Sequence, residues 1–163
     1  MHPLTGSWKL VWNEVRGVRY PMGNTSTSLA HISMNVLPRY PCVIKALNQH
    51  VDVEKRVWID SLDLFFPETE SDATWTIYGR VKNVPDTDLP SMIDVTYEHG
   101  HLSAMQHPPA LAEYKGIHLK LPGQGKAMVV FMNDVYRIDR DMHQRSAYLE
   151  RVVQAEMKNY YFL

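Results

Sequence analysis

In most of this chain apolar and polar residues alternate with a period of two, broken at intervals by proline- and glycine-rich stretches. Period two is the spacing at which successive side chains of an extended strand fall on opposite faces of a sheet. In Gly6-Ser7-Trp8-Lys9-Leu10-Val11-Trp12 the spacing points Trp8, Leu10 and Trp12 one way, and Lys9 and Asn13 the other. A stronger run, 56–66, sets Trp58, Leu62, Leu64 and Phe66 on one face, and Pro67 with the polar residues after it closes the run. Residues 74–82 place Trp75, Ile77 and Val81 on one face and Thr76 and Tyr78 on the other. Shorter strands are predicted over 29–36, 42–47, 91–98, 117–121, 126–132 and 145–152, with His99-Gly100-His101 read as a turn. Helical spacing is confined to 152–160, where Val153, Met157 and Tyr160 recur three or four apart. Many short strands with few helices leave two architectures, a sandwich or a barrel.

Size and charge narrow the function classes. The 163 residues, 45% apolar and 21% charged, suit one globular domain over 1–163 with a sizeable core. A net charge of −1 without blocks of one sign argues against a nucleic-acid partner. No run approaches eighteen apolar residues, so no transmembrane span is expected. The first strand follows Met1 almost at once, which predicts a protein that works where it is made, or a trimmed form. Cys42 is the single cysteine, so no internal disulfide can form, and the triplet Asn24-Thr25-Ser26 is given little weight as a glycosylation site.

Chemistry-bearing residues are sparse. His99, His101 and His107, with Asp94 and Glu98 nearby, invite a metal site, but a zinc site needs three or four converging ligands, and exposed loop histidines are the simpler expectation. No metal or cofactor is expected beyond a bound lipid or carotenoid. Asp60 shares the parity of Trp58, Leu62 and Leu64, which makes it the one weak catalytic candidate; buried, it would need a cation or a proton. The simpler reading turns Asp60 outward through a bulge. Arg137 and Arg140, three apart, face opposite ways on a regular strand, and paired surface ions with Asp139, Asp141 or Glu150 are expected. Cys42 has no evident histidine partner and reads as a buried spectator. Trp58, Leu62, Leu64, Trp75, Tyr78 and Phe131 offer the apolar surface expected to bind a ligand.

Gly6-x-Trp8 at the head of an all-β chain resembles the opening strand of the calycins, the lipocalins and fatty-acid-binding proteins. That resemblance implies an all-β, closed, antiparallel up-and-down barrel, followed here by a short C-terminal helix or extension. Gly6 would let the chain bend beneath the barrel and Trp8 would plug its closed end. It also implies a basic residue stacked on Trp8, a contact of about 0.5–2 kcal/mol. Arg151 stands first for that role by its place on the last strand, with Arg137 and Arg140 as alternatives. The cysteine pair and the Thr-Asp-Tyr motif of secreted lipocalins are missing.

A second stretch, Phe131-Met132-Asn133-Asp134-Val135-Tyr136-Arg137-Ile138-Asp139-Arg140-Asp141, resembles the late signature of the plastid-lipid-associated proteins, or fibrillins. Arg137, Ile138 and Arg140 match it outright, Asp141 replaces its glycine, and Ala147-Tyr148-Leu149 takes the place of its final strand. This resemblance implies a chloroplast setting, at thylakoids or plastoglobules, and a lipid, prenylquinone or carotenoid as ligand. The leading expectation is therefore a non-enzymatic protein that binds or shields a hydrophobic small molecule. Two alternatives stay open: a calycin-fold isomerase or cyclase on a small apolar substrate, and an interaction subunit of a membrane-associated photosynthetic complex, suggested by the tail Tyr160-Tyr161-Phe162-Leu163.

Overall fold

The computed structural model describes residues 1–15, 18–21, 43–67, 70–104, 118–120, 124–140 and 146–152. The strand predicted over 29–36, Cys42, the Asn24 triplet, His107 and the apolar tail lie outside them, as does nearly all of the predicted helix 152–160. Ten strands are described: β1 (Gly6–Val15), β2 (Val18–Pro21), β3 (Val43–Asp52), β4 (Val57–Phe66), β5 (Ser71–Val81), β6 (Ser91–Ala104), β7 (His118–Lys120), β8 (Gln124–Met132), β9 (Tyr136–Arg140) and β10 (Ser146–Arg151).

Their pairing closes a ring. Antiparallel neighbours run β1-β3-β4-β5-β6-β8-β9-β10, and β10 returns to β1 through pairs such as Trp8↔Arg151 and Leu10↔Leu149. This is an eight-stranded, up-and-down, lipocalin-like barrel, all-β and without a helix among the described residues. In the lower part of the ring each strand has a neighbour on both sides, the solution an antiparallel chain of short strands needs to avoid edge pairing. β2 lies beside the upper part of β1, and β7 beside the upper part of β6, each ahead of the ring strand that follows it. The lower end of the barrel carries residues 1–5, the turns 53–56 and 133–135 and the loop 82–90.

Strand parity then decides what is inside. Leu47, Trp58, Leu62, Leu64, Trp75 and Ile77 are all buried in one core, as alternation requires for a sheet with a single packed face. Bulges move other residues. A register shift between Leu10 and Trp12 sends Trp12 outward, 41% exposed, so the single inward face predicted for Trp8, Leu10 and Trp12 stops at Leu10. The predicted turn at His99-Gly100-His101 is instead the middle of β6. Gly100 is needed there because a Cβ would lie 2.5 Å from the ring of Trp75, which crosses the glycine inside the barrel. Its neighbours His99 and His101 therefore point outward, and no group of metal-ligating side chains occurs among the described residues.

Candidate functional site

The lower end is sealed by one tryptophan and one arginine. Trp8 is fully buried and donates its Nε1–H to the Leu4 carbonyl at 3.0 Å. The Arg151 guanidinium lies 4.2 Å from the centre of the Trp8 ring and donates to three carbonyls, those of Pro3, Thr5 and Asp134, at 2.8–3.0 Å. Gly6 makes this possible. At φ 143° it adopts a conformation other residues rarely reach, and a Cβ there would lie 2.4 Å from Arg151 Nη1. The stacked base expected for Trp8 is thus Arg151. Glu54 ties residues 1–5 down, accepting from the His2 backbone N–H at 2.6 Å and from the Thr5 hydroxyl at 2.9 Å. These bonds hold its carboxyl down at about 2, below the ordinary value of 4.5.

Above that floor a chain of polar side chains crosses the barrel interior. On β9, Arg137 and Asp139 share inward parity, and Arg137 forms a two-pronged pair with Asp139 at 2.9 and 2.7 Å. The same guanidinium donates to Gln49 Oε1 on β3. Gln49 Nε2 donates to Asp60 Oδ1 at 2.8 Å on β4, and Trp58 Nε1 donates to Asp60 Oδ2 at 3.0 Å. Arg137 also lies 5.1 Å from the Trp8 ring and 5.9 Å from that of Trp58. Arg137 is 0% exposed, and Gln49, Asp60 and Asp139 are all buried. Charges so far from water persist only when paired and hydrogen-bonded, which is what the chain from Asp139 to Trp58 supplies. Burial pushes the Asp60 carboxyl up, opposed by its bonds from Gln49 and Trp58 and by Arg137. Tyr97 on β6 is pushed up as well, by burial first and then by the neighbouring Asp60.

The upper interior is apolar, walled by Leu47, Leu62, Leu64, Ala73, Trp75 and Ile77. Among the described residues, Trp75 Nε1 and Arg137 Nη1 are buried N–H groups in the barrel with no hydrogen-bond partner. By contrast, Gln49 Oε1 and the carboxylate oxygens of Asp60 and Asp139 each accept a hydrogen bond.

Several predicted placements change. Asp60 faces inward, not outward, because the pairing of β3 with β4 is regular from Ala46 to Asp52 and no bulge interrupts it there. Arg137 is a buried ion pair instead of a surface one, while Arg140, on the opposite face of β9, is exposed as its spacing requires. Tyr78 lies on the outer face of β5, where its ring stacks on His99 at 4.5 Å, and so does not line the interior. Phe131 is 45% exposed because the bulge between Val129 and Phe131 turns it out of the barrel. Trp58, Leu62, Leu64 and Trp75 are the predicted ligand-wall residues brought together inside. Gln49 shares parity with Leu47 and Val51 but lies beyond the strand predicted over 42–47, so the sequence pattern does not mark it.

No family model and no curated protein matches the sequence. Two solved structures are similar to it at 10% identity and TM-score 0.37, each over 96% of this chain. One is a biogenic amine-binding protein as its selenomethionine derivative, with 69% of that chain covered. The other is the tryptamine complex of the amine binding protein of Rhodnius prolixus, with 68% covered. The fold itself rests on the closed ring of strands described above.

Proposed function

We propose that the protein is a non-enzymatic binder of a small, mainly apolar molecule, held within the barrel above the polar chain. The observation that carries this reading is the division of the interior. The floor is sealed and hydrogen-bonded, while the upper wall is apolar and aromatic and leaves an indole N–H without a partner. A barrel of this strand number is filled by side chains or holds one small ligand. An unpaired buried donor costs about 1–3 kcal/mol, which a ligand that reached it would offset. An acid–base role for Asp60 finds less support, because each of its oxygens already accepts a hydrogen bond from the barrel's own side chains. Within the apolar class, the motif resemblances at 6–12 and 131–141 favour a lipid, prenylquinone or carotenoid and a plastid setting.

The test is solvent extraction and mass spectrometry of the protein purified from its native source. One apolar molecule at near-stoichiometric amount is the expected result; recovery of none would count against the proposal. A second reading, an interaction subunit with a side-chain-filled barrel, draws on the outer surface at β6, β8 and the β8–β9 turn. There Met92, Phe131, Val135 and Tyr136 are each 41–52% exposed. On that reading the extract is empty.

A further inference from the structure

Among the described residues the barrel's interior leaves hydrogen-bond donors without an acceptor in reach. Arg137 spends Nε and Nη2 on Asp139 and Gln49, so Nη1 is left with no partner. Trp75 Nε1 is likewise unpaired, on a side chain that is 0% exposed. Ser91 Oγ, lower on β6, is a third unpaired group and can act either way. The unpaired acceptor, Asp94 Oδ1, belongs to the outer face of β6, 3.8 Å from Lys126 Nζ, and cannot serve the interior donors. What these interior donors lack is therefore a lone pair within reach.

Charge decides which acceptor fits. One guanidinium, Arg137, already faces two carboxyl groups, with Asp139 in a two-pronged pair and Asp60 one glutamine away. A ligand carboxylate would add a third acidic group to a single cation, away from water, at a large desolvation cost. A neutral carbonyl brings two lone pairs and no charge. We infer that the barrel's ligand carries a neutral carbonyl acceptor, of the ketone, quinone or ester class, which accepts a hydrogen bond from Trp75 Nε1. This rests on the proposed function, whose ligand it makes more specific.

Three probes with one skeleton test it: 2-acetylnaphthalene, 2-ethylnaphthalene and 2-naphthoate, each measured by equilibrium dialysis against the whole chain. Water holds the ketone back more strongly than the hydrocarbon, so a purely apolar site would favour 2-ethylnaphthalene by about tenfold or more. The expected result is a ketone affinity equal to or above that of the hydrocarbon, with the carboxylate weakest. Trp75→Phe removes wall contact for both probes but the donor for the ketone alone, so it should lower ketone affinity by about tenfold more than it lowers that of the hydrocarbon. Should that variant fail to fold, the Trp75 indole N–H resonance of the unmodified protein provides the same test, since it should move downfield with the ketone alone. Binding of the hydrocarbon in clear preference to the ketone overturns the inference and leaves the proposed function standing, and so does preference for the carboxylate. Binding of none of the three removes both.

Discussion

Trp8 and Trp75 are the same side chain at the same burial, yet their surroundings differ completely. At the floor, Trp8 has a carbonyl for its N–H, Arg151 on its ring and Arg137 a little farther off. In the upper wall, Trp75 crosses Gly100 with its N–H unmatched. Buried polar groups in folded proteins are overwhelmingly paired, so an exception marks either a cost carried for a purpose or a place where something else belongs. The contrast is one of completeness: at the floor the indole N–H has its acceptor, while in the upper wall the described residues supply none.

The largest effect expected is at Arg137, in the polar chain directly above the floor. Arg137→Met strands Asp139 and Gln49 in the interior, and a denaturant midpoint should report a loss of about 3–5 kcal/mol. Gly6→Ala comes next. It forces a side chain into a left-handed backbone and against Arg151, and should cost about 1–3 kcal/mol in the same titration. A matched pair of variants then measures the contrast itself. Trp8→Phe and Trp75→Phe remove equal volumes, but only the first loses a hydrogen bond and leaves the Leu4 carbonyl unpaired. Trp8→Phe should therefore be the more destabilising by about 1–2 kcal/mol, and equal losses would erase the distinction between floor and wall.

Acidity separates the floor from the polar chain above it, with opposite signs. The Asp60 carboxyl is raised above 3.8 in the fold, so the folded state binds that proton more tightly. Its contribution is whole at low pH and is lost as pH rises from about 3.8 through the folded value. Glu54 is lowered from 4.5 to about 2, so its contribution is whole above 4.5 and is lost as pH falls towards 2. Urea midpoints across pH 2–8 should show the acid-side decline flattened by Glu54→Gln, and the decline with rising pH flattened by Asp60→Asn.

Much of the barrel was legible in the alternation. The inward faces of β4 and β5 follow from parity, and the stacking of Arg151 on Trp8 from the resemblance of the opening strand to the calycins together with chain order. What alternation could not show is where it breaks. Trp12 and Phe131 leave the interior at bulges, which depend on pairing with a neighbouring strand and leave no mark in local sequence. His99-Gly100-His101 reads as a turn because glycine is a breaker in isolation, whereas here it makes room for a tryptophan two strand-positions away on the neighbouring strand. The polar chain was hidden for a related reason. Its members lie on three strands, β3, β4 and β9, and only closure of the ring brings Arg137 to Gln49.

The proposal that the upper barrel holds an apolar molecule is tested most directly by filling it. Ala73 is a small residue of the upper wall, between Leu64 and Ala104 on the neighbouring strands. Ala73→Phe, checked by circular dichroism for an intact sheet, should bind 2-ethylnaphthalene at least tenfold more weakly than the parent protein, which should take up one equivalent. A folded variant that binds as well as the parent, or a parent that binds none, would contradict it.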